Sequence, residues 1–171
     1  TYRNEAPKAA KGNLNAGNIT LTRDRSGAGQ VKVNKTGISL GGDSGAFTGS
    51  WNGKSGASAT MSAAGNIGGS SSVALAGTLN LTPASSGNYA WNNALTGAGM
   101  LNVTLGAGTD KFTFGTGTGT AYAGAVNMQK GEYVLNAKVG NDNILSNGTL
   151  RLSGSGSTVL DANYTIGGLD M

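Results

Sequence analysis

Residues 26–99 and 96–169 are two copies of one irregular unit about seventy residues long, and that repetition limits the folds open to the chain. Ser26-Gly27-Ala28-Gly29-Gln30-Val31 answers to Thr96-Gly97-Ala98-Gly99-Met100-Leu101 at an offset of 70. Ala46-Phe47-Thr48-Gly49 answers to Ala121-Tyr122-Ala123-Gly124 at an offset of 75. Ala76-Gly77-Thr78-Leu79-Asn80-Leu81 answers to Asn147-Gly148-Thr149-Leu150-Arg151-Leu152 at an offset of 71, and Asn88-Tyr89 to Asn163-Tyr164. The order holds while the offset drifts, which places the variation in loops. Short β-forming runs repeated between glycines are the mark of a solenoid, where no unit buries its apolar face alone. Such an object offers a long surface rather than a deep catalytic pocket.

Nine short runs alternate apolar with polar, as strands with one buried face do. They are 18–21, 30–33, 37–40, 72–75, 78–81, 100–105, 111–114, 132–135 and 149–152. Gly-Gly, Asn-Gly and Ser-Gly steps stand between them and suit tight corners. No ten-residue window carries a helical stripe, so the chain reads as all-β. Register separates a solenoid from a sandwich or barrel: Leu79 and Leu81 return after 22 residues as Leu101 and Val103, and Gly77 as Gly99. That spacing predicts a parallel β-helix of about seven coils, a rod on the order of 35 Å at about 4.8 Å per rung. Residues 1–171 read as one β-helical unit, with 1–12 a partial cap or linker. The second copy runs out at Ile166-Gly167-Gly168-Leu169-Asp170-Met171, where another coil is expected, so the chain reads as a segment of a longer protein.

Glycine supplies 31 of 171 residues, without the three-residue period of collagen. Low charge and abundant Gly, Ser, Asn and Thr also suit a disordered chain; the alternation within short runs argues for a buried face instead. Cysteine and histidine are absent, which removes disulfides and the commonest zinc and copper ligands. Charge is uneven. Residues 1–54 hold eight Lys/Arg against three Asp/Glu, 55–109 hold none of either, and 110–171 hold four against five. The basic residues Arg23, Arg25, Lys32 and Lys35 form either a solvated edge or a contact for a polyanion. The uncharged middle makes hydrogen bonds without strong fields and gives little protection against self-association.

Motifs for chemistry are thin. Gly106-Ala107-Gly108-Thr109-Asp110-Lys111-Phe112 imitates a calcium-binding nonapeptide, with a weaker echo at 140–144. One copy cannot gather the six to eight oxygens that calcium takes, so Asp110 reads as a turn carboxylate and no metal is expected. Gly41-Gly42-Asp43-Ser44-Gly45 contains a serine-protease string, but with no histidine the usual base is missing. The eight acids are scattered, so no enzyme activity, cofactor or nucleic-acid partner is expected. Trp51, Tyr89 and Trp91 stand among Ser, Asn and Gly. They either cap the core or, as exposed rings, anchor an interface with Asn52, Asn92 and Asn93. Phe47, Phe112, Phe114, Tyr122 and Tyr133 follow the repeat and read as core.

Gly97-Ala98-Gly99-Met100-Leu101, then Phe112-Thr113-Phe114, Tyr122-Ala123-Gly124-Ala125-Val126 and Gly131-Glu132-Tyr133-Val134-Leu135 resemble the passenger-associated transport repeat of bacterial type V autotransporters. The stretch 146–156 is similar to a coil common in those passengers. The likeness covers 76–171 well, 26–75 loosely and 1–25 hardly at all, and it departs at the Gly-Thr run 115–120. It implies a right-handed, pertactin-like parallel β-helix, exported through its own C-terminal β-barrel translocator and displayed on a Gram-negative surface.

The expected function is then non-enzymatic adhesion, foremost self-association between rods on neighbouring cells, as in autoaggregation and biofilm formation. The uncharged 55–109 segment is the expected face, with Trp51 and Trp91 as anchors. Two alternatives stand beside it: a stalk that drives secretion and folding, and a host receptor or glycan binder using the basic 23–35 cluster.

Overall fold

The computed structural model describes residues 11–22, 25–83, 85–115, 122–135, 145–160 and 166–171. All nine alternating runs contribute strands to it. A short parallel sheet stacks β1 (Lys11–Leu14), β3 (Gln30–Val33), β5 (Ser50–Gly53), β7 (Ser72–Leu75) and β10 (Ala94–Thr96) in that order. A long parallel ladder stacks β2 (Thr20–Leu21), β4 (Ile38–Leu40), β6 (Ser58–Met61), β8 (Thr78–Leu81) and β11 (Met100–Thr104). It continues through β13 (Ala125–Leu135), β14 (Thr149–Leu160) and β15 (Gly168–Asp170). A third face pairs β9 (Tyr89–Trp91) with β12 (Lys111–Phe114) and then with the second half of β13.

Each strand pairs with the strand one coil away, so the chain is a parallel β-solenoid of about six turns of roughly 22 residues. That is close to the seven coils expected; the two- and three-residue strands at either end of the long ladder belong to partial turns. Thr78 pairs with Met100, Met100 with Ala125 and Ala125 with Thr149, steps of 22, 25 and 24 residues. Together these make the offset of 71 seen in the sequence, so Gly77 and Gly148 lie three coils apart on one face. The offsets of 70 and 75 have another origin. Gly27 bridges to Phe47, and Gly97 to Tyr122, but the first bridge precedes strands of the short sheet and the second precedes strands of the long one. One local motif has been used on two faces.

The core is built from columns of equivalent residues. In the long ladder Ile38, Ala59, Leu79, Leu101, Val126 and Leu150 stack from rung to rung, and all six are buried. In the short sheet Val31, Trp51, Val73 and Leu95 form the matching column. Burying each Val, Leu or Ile of these columns stabilises the fold by about 1.5–3 kcal/mol. The corner before the long ladder is made of glycine because the coils approach too closely there for a side chain. A Cβ on Gly99 would lie 2.3 Å from the Gly77 carbonyl oxygen, and one on Gly124 2.1 Å from that of Gly99. The same carbonyls accept the next rung's bonds, Met100 N–H to Gly77 at 2.9 Å and Ala125 N–H to Gly99 at 2.9 Å.

Candidate functional site

The outer side of the long ladder is the largest regular surface that the register creates. Side chains alternate along a strand, so the residues between the core columns face outward. Thr20, Ser39, Thr60, Asn80, Asn102 and Asn127 form one outward column, continued by Arg151 and Asp170. From Thr20 to Asn127 this column carries no charge. Ser58, Thr78, Met100, Ala125 and Thr149 stand beside it, one pleat nearer the glycine corner.

Three asparagines in the column are joined into a ladder. Asn127 Nδ2–H donates to Asn102 Oδ1 at 3.1 Å, and Asn102 Nδ2–H to Asn80 Oδ1 at 2.8 Å. Asn80 Nδ2–H reaches Thr60 Oγ1 at 3.4 Å, and Ser153 Oγ–H closes the other end on Asn127 Oδ1 at 2.8 Å. Alongside, Thr104 Oγ1–H donates to Gln129 Oε1 at 2.8 Å. A carboxamide has two N–H donors and an oxygen that accepts twice. The ladder therefore orients each amide and leaves acceptor capacity at each rung, about every 4.8 Å, with a further donor at Asn102 and Asn127. Arg151 Nε lies 3.2 Å from Asp170 Oδ2, so the column ends in an ion pair. The surface offers many weak hydrogen bonds in a fixed array.

The six residues expected to form an adhesive surface are not brought together. Trp51 lies in the core column of β5, 3% exposed, with its Nε1–H donating to the Ile67 carbonyl at 2.8 Å and its ring edge-on to Phe47. Trp91 is fully buried and donates to the Asn93 carbonyl at 2.9 Å. Neither ring can anchor a partner. Asn93 is buried too, its amide donating to the Gly68 and Ser71 carbonyls at 2.6 and 2.9 Å. Tyr89 is half-buried and stacks on Phe112 at 6.1 Å. Burial pushes its phenol above the ordinary value. Only Asn52, half-buried on β5, and the exposed Asn92 face outward. The 55–109 segment winds through every face and much of the core, so it is not one surface.

The basic cluster also divides. Arg23 lies outside the described residues. Arg25 is half-buried and structural: its guanidinium donates to the Gly41 and Asn66 carbonyls at 2.8 and 2.7 Å and sits 5.3 Å over the Trp51 ring. Lys32 and Lys35 are exposed.

Asp110 is a buried turn carboxylate that accepts the Ala107 N–H at 2.7 Å, and no group of three metal-ligating side chains exists among the described residues. The echo at 140–144 and the run 116–120 lie outside those residues. In the protease-like string Ser44 is fully buried, while Asp43 and Gly45 beside it are exposed. Phe47, Phe112, Phe114, Tyr122 and Tyr133 are core residues, as expected. The asparagine ladder went unread in the sequence, although its signal is there: Leu79-Asn80-Leu81, Leu101-Asn102-Val103 and Val126-Asn127-Met128 repeat apolar-Asn-apolar at the coil spacing. No family model, curated protein or solved structure matches the chain.

Proposed function

We propose that this chain is a non-enzymatic segment of an autotransporter passenger, displayed on a Gram-negative surface beyond its own β-barrel translocator, and that it self-associates. The partner is a copy of itself on a neighbouring cell. The transport-repeat motifs support the family, and the parallel solenoid is compatible with it. The carrying observation is the charge-free outward column from Thr20 to Asn127. Two such faces meet without Coulomb repulsion and trade water for many weak hydrogen bonds, each worth about 0.5–1.5 kcal/mol net. The test is display of the full passenger, with and without residues 26–169, on a non-aggregating bacterium, scoring both settling and surface level. Loss of settling at unchanged surface level supports the reading. Loss of surface level instead makes the segment a secretion and folding stalk.

A further inference from the structure

The first coils carry three exposed lysines: Lys32, Lys35 and Lys54. Lys32 lies on the outer side of β3, Lys35 in the turn after it, and Lys54 in the equivalent turn one coil on. Cross-rung bonds from Lys54 N–H to the Val33 carbonyl (3.0 Å) and from Ser58 N–H to the Lys35 carbonyl (3.2 Å) stack these turns. The neighbouring rungs stand about 4.8 Å apart. Further along, three of the described cations have partners within the chain. Lys111 pairs with Glu132 at 3.6 Å, Arg151 with Asp170 at 3.2 Å, and the Lys130 ammonium donates to the Gly106 carbonyl. None of the three lysines near the start has an ion-pair partner among the described residues. A groove of about 420 Å³ begins at Gly56, two residues after Lys54, and follows the same edge past Thr78, Met100 and Thr149 to Arg151.

We infer that this edge binds an extended anionic polysaccharide, which lies along the axis with its sulfates or carboxylates on Lys32, Lys35 and Lys54 and its chain in the groove. A single small anion does not suit the site, because the lysines are separate point charges on mobile stems and enclose nothing. A polymer suits it, since each ammonium displaces condensed counterions and several contacts add along one chain. Nucleic acid suits it less. Binding of single strands relies on aromatic platforms, and the only large hydrophobic side chains exposed among the described residues are Leu169 and Met171. The three lysines lie off the outward asparagine column, whereas the groove borders that column at Thr78, Met100, Ala125, Thr149 and Arg151, so a bound chain would run beside the self-association face.

The test uses a heparin oligosaccharide, a neutral dextran and a single-stranded oligothymidylate as probes in calorimetric titrations of the whole chain at several salt concentrations. Heparin should bind with an affinity that falls linearly on a log–log plot against salt, and dextran should not bind. Changing Lys32→Gln, Lys35→Gln and Lys54→Gln together should weaken heparin binding by about tenfold or more and flatten the salt slope. All three side chains are exposed, so the circular dichroism should not change. Ala98→Trp and Ala123→Trp, at exposed positions lining the groove, should also weaken heparin binding. Unchanged affinity in the triple variant overturns the proposal. Tighter binding of the oligothymidylate than of heparin overturns the choice of ligand, and unchanged affinity in both tryptophan variants overturns the groove as its track.

Discussion

Replacing Gly99 by alanine tests whether glycine fixes the coil spacing. Its backbone needs no positive φ, so the added methyl acts through space alone. That methyl would sit 2.3 Å from the Gly77 carbonyl oxygen, 2.8 Å from the Leu75 carbonyl oxygen and 2.9 Å from Leu75 Cγ. Relief requires the two coils to part where Gly99 N–H meets Leu75 at 2.8 Å and Met100 N–H meets Gly77 at 2.9 Å. Overpacking costs about 1–3 kcal/mol, and weakening two backbone bonds costs about 0.5–1.5 kcal/mol each. The expected loss is about 3 kcal/mol, a midpoint lower by about 6–12 °C for a chain of this size. Gly108→Ala is the matched control, because a Cβ there meets nothing within 4 Å and φ is not positive; its effect should stay within about 0.5 kcal/mol. Urea unfolding followed by the fluorescence of buried Trp51 and Trp91 measures both. A Gly99→Ala variant as stable as the control refutes the close-approach argument.

Three further outcomes follow from the same contacts. Arg25→Ala should cost about 2–3 kcal/mol, because two carbonyls lose a charged donor and Trp51 loses its cation, whereas Lys32→Ala should change stability by less than about 0.5 kcal/mol; urea midpoints compare them. Asn93→Ala should cost about 2 kcal/mol by removing a buried amide that donates to the Ser71 and Gly68 carbonyls, of which Gly68 keeps its bonds from Ser71, while Asn92→Ala, exposed, should be nearly neutral in the same assay. Burial raises the Tyr89 and Tyr122 phenols above their ordinary value of 10.0. The unfolded chain then ionises first, so stability should be flat below about pH 10 and fall as pH rises beyond it. Tyr89→Phe should make that fall shallower in unfolding curves collected from pH 8 to 12, and its effect at pH 7 should be small, since the hydroxyl has no hydrogen-bond partner among the described residues.

The β-helix was legible because its core columns return at near-constant spacing in strands that alternate cleanly, as Leu79 and Leu81 do before Leu101 and Val103. Trp51 was harder to place because it is the only large apolar residue in Ser50–Gly53, so no alternation marks its inward side. Its register does: Val31, Trp51, Val73 and Leu95 fall 20, 22 and 22 residues apart. Asn93 and Arg25 look like surface residues in composition. Their roles depend on loop carbonyls of neighbouring coils, at Gly68 and Ser71 and at Gly41 and Asn66, which local patterning does not carry. The two unequal repeat offsets have a similar cause. Phe47-Thr48-Gly49 and Tyr122-Ala123-Gly124 each fold an aromatic ring over a glycine, with the ring's Cζ 2.6 Å from where a Cβ would stand. That packing needs only the adjacent coil, so it can recur on either face.

If the outward asparagine column carries self-association, charge placed on it should abolish clumping. Asn80→Lys, Asn102→Lys and Asn127→Lys would set three ammonium groups along one line, facing three more on the partner. The control carries Ser72→Lys, Ala94→Lys and Thr96→Lys, exposed positions on the short sheet. Settling of bacteria displaying each passenger should be measured at matched surface level. The asparagine variant should stop clumping at low salt and recover in part near 1 M, where the screening length falls to about 3 Å, while the control clumps normally. Wild-type settling by the asparagine variant at low salt would contradict that role of the column.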